Sequence, residues 1–131
     1  MLLAAQRAGA DTGTVGALRA TGLAYVEFAV THASLFRVMF HPLVARKSTL
    51  PELEHWSSET FQVLLDGIQA AQAAGHVRRG EPRDLALTCW SAVHGLAVLL
   101  VDDQVQAKGF STDALAEAVA TSLFLGLKPE A

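Results

Sequence analysis

Arg83-Asp84-Leu85-Ala86-Leu87-Thr88-Cys89-Trp90-Ser91-Ala92-Val93-His94-Gly95-Leu96-Ala97-Val98-Leu99-Leu100-Val101-Asp102 is the stretch whose reading decides the fold. Ala86, Trp90, Val93, Ala97 and Leu100 fall on one helical face, and Leu85, Cys89, Ala92, Leu96 and Leu99 fall on a second. Leu87, Val98 and Val101 cover much of the remainder, leaving only Thr88, Ser91 and His94 polar in between. The spacing is helical, with no alternation of the kind a half-buried strand needs. A helix apolar on every side is expected to be buried all round.

The flanking segments follow the same period. Upstream, Thr49-Leu50-Pro51-Glu52 combines a capping-box spacing with proline in the first turn, where its missing N–H costs nothing. A helix is predicted from there to Gly75, with Leu53, Ser57, Thr60, Phe61, Leu64, Ile68 and Ala71 on its inner stripe and Glu52, Glu54, Glu59, Gln62, Asp66 and Gln69 on other faces. His76 to Glu81 then make a basic, glycine-containing turn before Pro82. Further upstream, Thr14 to His32 places Val15, Leu18, Gly22, Tyr25, Ala29 and His32 on one face, widened by Leu23, Val26 and Val30. Ser34 to Phe40 reads as a short helix ended by His41-Pro42, because the residue before proline avoids the helical region. Downstream, an N-cap at Ser111 opens a last helix to about Leu125, charged only at Asp113 and Glu117. The fold class is all-α.

At 131 residues the chain fits one domain with a single core. Its residues are 51% hydrophobic and 18% charged, against about a quarter charged in ordinary soluble domains, so some apolar surface needs a partner. The last two helices have little face for water. Packing them against their copies as an intermolecular four-helix bundle is the simplest solution, which predicts a homodimer with Leu96, Leu99, Leu115, Val119, Ala120, Leu123 and Phe124 at the interface.

The formal charge is -3 and the pI about 5.9, and Arg46-Lys47 and Arg78-Arg79 are isolated basic pairs, so nothing here holds a phosphate backbone. Lone Cys89 lies in an apolar run and is expected to be a reduced core filler. No apolar stretch is expected to reach a membrane span, and Met1-Leu2-Leu3-Ala4-Ala5 lacks the parts of a signal peptide, which predicts a soluble, cytoplasmic protein. Motifs for nucleophilic, nucleotide-dependent or zinc chemistry are absent, and the histidines at 32, 41, 55, 76 and 94 are too scattered to give local ligand pairs. The expectation is a protein that is not an enzyme, without catalytic residues, metal or cofactor.

Two segments resemble a known family. Ala24-Tyr25-Val26-Glu27-Phe28-Ala29 followed by His32-Ala33-Ser34-Leu35-Phe36-Arg37-Val38-Met39-Phe40 is similar to the start of many TetR-family regulatory domains. Trp90-Ser91-Ala92-Val93-His94-Gly95 is similar to the Trp-x-x-x-His-Gly signature of one subclass of them. Ala33 departs from the pattern, which usually has proline there, so the short helix is expected to start less sharply. The resemblance runs from about Gly16 to the C-terminus and implies an effector-sensing and dimerisation domain of a transcriptional regulator, usually a repressor. Residues 1–12 are then the remnant of a connecting helix and its turn, 13–131 are the regulatory domain, and the helix-turn-helix that reads DNA is expected upstream and is not in this sequence.

The resemblance also implies an apolar effector pocket. Tyr25, Phe28, Phe36, Met39, Phe40, Trp56, Phe61, Leu64, Trp90 and His94 are its candidate lining, suited to a small hydrophobic or amphipathic effector. Each has a plain rival, since aromatic residues at helical spacing are usually core. Trp90 and His94 stand one turn apart on one face, so His94 either offers a ring nitrogen to a ligand or satisfies itself on a neighbouring helix. Two alternatives therefore stay open: a dimerisation module with a filled core, and a small cofactor-free helical enzyme.

Overall fold

The computed structural model describes residues 13–40, 51–103 and 108–129. These form α1 (Gly13–Thr31), α2 (Ala33–Met39), α3 (Pro51–Ala73), α4 (Pro82–Val101) and α5 (Thr112–Leu127), with no strand among the described residues. The all-α expectation holds, and the helix ends lie close to those read from the sequence. Residues 1–12, the caps at Thr49 and at His41-Pro42, and the side chain of Trp56 lie outside the described residues.

Local chemistry sets the helix ends. Ser111 Oγ accepts from the Ala114 amide at 3.1 Å and starts α5, as its cap position predicts. Glu81 accepts from the Arg83 amide at 3.2 Å and, with Pro82 behind it, starts α4. Gly75 ends α3 at φ +78°, a left-handed conformation that lets the His76 and Val77 amides return to the Ala71 carbonyl at 2.9 and 3.3 Å. Gln72 Nε2 then donates to the carbonyls of Arg78 and Gly80, and the Arg78 amide reaches the Leu127 carbonyl at 2.7 Å. The α3–α4 turn is thereby pinned to the end of α5.

α4 is the central element and packs against α1, α3 and α5, while α1 also touches α2, α3 and α5. The amphipathic reading of α3 holds: Thr60, Leu64, Ile68 and Ala71 are buried, and Glu59, Gln62, Asp66 and Gln69 are exposed. α4 itself departs from expectation. Leu87 is 54% and Leu99 44% exposed, with Thr88 and Ser91 also facing out. Its neighbours occupy only part of its circumference, so Leu87 and Leu99 are left bare beside polar Thr88 and Ser91. α4 is also long and apolar enough to cross a membrane by length and composition, contrary to the expectation that no stretch reaches that length. It packs against three helices of the chain, and length and composition alone do not mark a membrane span.

Candidate functional site

The Trp90 and His94 side chains, one turn apart on α4, meet Tyr25 of α1. The Tyr25 hydroxyl lies 2.7 Å from His94 Nδ1, and Trp90 Nε1 donates to the same hydroxyl at 3.4 Å. An indole N–H only donates, so the Tyr25 oxygen accepts from Trp90 and its proton is free to go to His94. That assignment makes His94 the neutral tautomer with its proton on Nε2. Burial supports it. Tyr25, 3% exposed, has its pKa pushed up to about 12 by desolvation, with the Trp90 bond opposing, and burial pushes that of His94 down from 6.5.

α2 and its C-cap residue close this group with two rings. Phe36, 2% exposed, stands edge-on to Tyr25 at 6.1 Å and lies 5.5 Å from the His94 ring, while Phe40 meets His94 at 4.5 Å. Between them Arg37 turns outward, and its guanidinium donates to the Val101 carbonyl at 2.5 Å, with Asp102 at 3.9 Å. A cation thus sits on an orphan carbonyl at the C-terminus of α4, where the helix dipole favours it.

Of the candidate pocket residues, Tyr25, Phe36, Phe40, Trp90 and His94 come together directly. Phe61 joins through Trp90, at 6.1 Å, and carries Arg83 over its ring at 5.4 Å. Phe28 packs beside His32 at 5.2 Å, Met39 is half-buried at the end of α2, and Leu64 is buried in the α1–α3–α4 core.

Two small voids flank α4. One of about 20 Å³ is bounded by Thr21, Tyr25, Thr60, Leu64, Cys89 and Trp90. The other, about 50 Å³, lies between α1, α4 and α5. Both are far below the roughly 300–1,000 Å³ of ordinary ligand pockets. A shallower cleft of about 400 Å³, walled by Glu27, Asp113 and Glu117, is open to solvent along α1 and α5. Thr21 and Thr60 were not among the sequence candidates, and they are buried polar residues beside the smaller void. Thr60 falls on the inner stripe of α3, and nothing in its spacing marks a cavity.

The candidate interface residues divide. Leu96 is 5% exposed and packs in the chain's own core with Leu115 and Val119 against it; Phe124 packs on a neighbouring cluster. Ala120 and Leu123 line the larger void. Leu99 and Leu87 face out on α4 more than three turns apart, and Leu125 is 63% exposed on α5, where Ala114, Ala118 and Thr121 are exposed too. Leu87 and Leu125 are exposed apolar residues outside the candidate interface set. Among the described residues no group of three or more His, Cys, Asp or Glu gathers to hold a metal.

Residues 18–123 match the family model described as "Tetracyclin repressor-like, C-terminal domain", and the chain belongs to that family. A solved structure described as a protein with unknown function from Rhodococcus sp. RHA1 shares the fold, with a TM-score of 0.76 at 22% identity over 97% of this chain and 67% of that one. No curated protein sequence matches the chain.

Proposed function

We propose that this chain is the effector-sensing and dimerisation domain of a TetR-type transcriptional regulator, a repressor working in the cytoplasm. Domains of the family in general dimerise and bind small molecules. The observation that carries the reading is the set of large apolar side chains left exposed on the two C-terminal helices, Leu87, Leu99 and Leu125, between 44% and 63% exposed. A Cβ added at Gly95 or Gly126 would meet nothing within 4 Å in the chain itself, so these glycines leave room for a second copy to approach. Trp90, His94 and Gly95 support the Trp-x-x-x-His-Gly subclass. DNA is reached only through a helix-turn-helix domain outside this sequence, and a small hydrophobic or amphipathic effector sets the spacing of two such domains.

Sedimentation of the purified chain at micromolar concentration tests the assembly. A dimer of this kind buries about 2,000 Å² or more in total. A dimer is expected for the wild type, and a folded monomer for Leu99→Glu, whose carboxylate would stand unpaired in the seam. A wild-type monomer overturns the reading. A second reading, a dimerisation module with a filled core, is favoured by the small size of the two voids beside α4, about 50 and 20 Å³. A ligand that copurifies, or one that calorimetry finds among screened apolar compounds, decides for the sensor; turnover of such a ligand would instead favour an enzyme.

A further inference from the structure

α4 ends on residues that work against a helix end. Asp102 and Asp103 stand at its C-terminus, where the helix dipole makes negative charge unfavourable. Asp103 also sits at φ +61°, a left-handed conformation that favours glycine. Its amide still reaches the Leu100 carbonyl at 3.2 Å and the Asp102 amide reaches the Val98 carbonyl at 2.9 Å, so the last turn is closed in spite of both. The Val101 carbonyl is taken by Arg37, 64 residues earlier on α2. That guanidinium brings a charge-assisted bond of 2.5 Å to the carbonyl and a positive charge 3.9 Å from the Asp102 carboxylate. The cation that this helix end needs therefore comes from another helix.

α2 is equally dependent on α4. It has seven residues, His32 gives it no side-chain cap, and Phe36 is its one buried residue, while Leu35 and Val38 are more than half exposed. A helix of that length does not hold by itself in water. What holds it is the seat of Phe36 and its C-cap Phe40 on the Tyr25 and His94 rings, together with Arg37. We propose that Arg37 is a latch that joins the seating of α2 to the winding of the last turn of α4, so that the two open and close as one unit. Seated, α2 bonds the free carbonyl of α4 and neutralises its acidic end. Lifted, α2 takes the cation away, and the Asp102-Asp103 turn is left with its own charge and its left-handed backbone. Leu99 lies in that last turn, so the side of α4 proposed to meet a second copy shifts with the state of α2. This link to a partner rests on the dimer reading; the latch itself is a property of one chain.

Amide hydrogen exchange of the purified chain, followed residue by residue by NMR, tests the coupling. Arg37→Ala is expected to speed exchange at Phe40, the cap of α2, and at Asp102, the cap of α4, by the same factor. That factor is about five- to tenfold, since the lost bond is charge-assisted but its guanidinium is half-exposed. Ile68, fully buried in α3, should not change. Acceleration at only one of the two caps, at neither, or equally at Ile68 overturns the proposal. Asp103→Gly probes the same coupling from the other end and alters no residue of α2. Glycine suits the left-handed backbone and removes one carboxylate from the helix end, so Asp102 is expected to exchange more slowly. Coupling is reciprocal, so Phe40 is expected to slow by a like factor. Failure of Asp102 to slow, or of Phe40 to follow it, overturns the latch. Sedimentation of the same samples separates the two levels: uncoupled exchange in a stable dimer removes the latch alone, while coupled exchange in a wild-type monomer keeps the latch and removes the functional reading that gives it a partner.

Discussion

The two flanks of α4 are built on different physics. On one, Tyr25, Trp90 and His94 satisfy one another's polar atoms, and Phe36 and Phe40 fix the rings by edge and tilted contacts. On the other, Val93, Leu96 and Leu100 meet Val26, Ala116 and Val119 through aliphatic contacts alone, around a void. Hydrogen bonds and ring quadrupoles are directional, so small displacements on the first flank are penalised. Aliphatic burial depends on area and hardly on direction, so the second flank tolerates a shift. One helix thus anchors α1 and α2 in register while leaving α5 adjustable. For a domain whose last helix is proposed to meet its partner, this places the compliant packing next to the seam.

Deleting a ring from the anchored flank is expected to have the largest effect. Phe36 is 2% exposed and touches Tyr25, Phe40 and His94, so Phe36→Ala should cost about 3–5 kcal/mol in denaturant unfolding. Leu123→Ala on the other flank, already half-buried beside a void, should cost clearly less. Equal losses would break the comparison, because they would show the α5 flank to be packed as tightly as the α2 flank.

Next in size is the polar core of the anchor. Tyr25→Phe leaves His94 Nδ1 and Trp90 Nε1 without their common partner, and a loss of about 1–3 kcal/mol is expected. Adding His94→Leu to Tyr25→Phe should recover part of that loss, since a partner replaced together with its mate leaves less unsatisfied. Failure to recover would mean that the rings hold the cluster and the hydrogen bonds contribute little. The same pair predicts a pH effect. Burial holds the folded His94 below 6.5, so as pH falls the unfolded chain takes up its proton first. Stability from this group is full above about pH 6.5 and declines as pH drops through 6.5 toward the lower folded value. The difference in melting temperature between wild type and His94→Leu, followed from pH 8 down to pH 5, should therefore shrink. A difference that stays constant would place His94 in water.

How far these flanks were legible in the sequence differs for a physical reason. Caps are local, so Ser111 and the Gly75 stop follow from neighbours along the chain. Trp90 and His94 sharing a face is also local, being a matter of helical spacing. Their partner Tyr25 is 69 residues from His94, and no periodicity names it. The exposed side of α4 is illegible for the opposite reason. Where every face of a helix is apolar there is no contrast to say which will be bare, and here Leu96 is buried while Leu87 is exposed. Small residues such as Gly22, Ala116 and Ala120 were visible, but a void forms only when two helices set such positions opposite each other.

The smallest expected effect is at the rim of the compliant flank. Arg19 and Glu117 form an ion pair between α1 and α5, with side chains 36% and 53% exposed. Water and salt screen charges so placed, and holding two long side chains in one geometry costs entropy. A double-mutant cycle of Arg19→Ala and Glu117→Ala should therefore return a coupling of about 0.2–1 kcal/mol, falling further in high salt. A coupling well above that range and insensitive to salt would mean that α5 is clamped to α1 electrostatically. The void behind it would then be closed by a fixed gate, and the contrast between a directional flank and a compliant one would fail. A coupling near zero sharpens the contrast instead, since α5 would then be held by aliphatic burial together with the Arg78–Leu127 backbone bond at its far end.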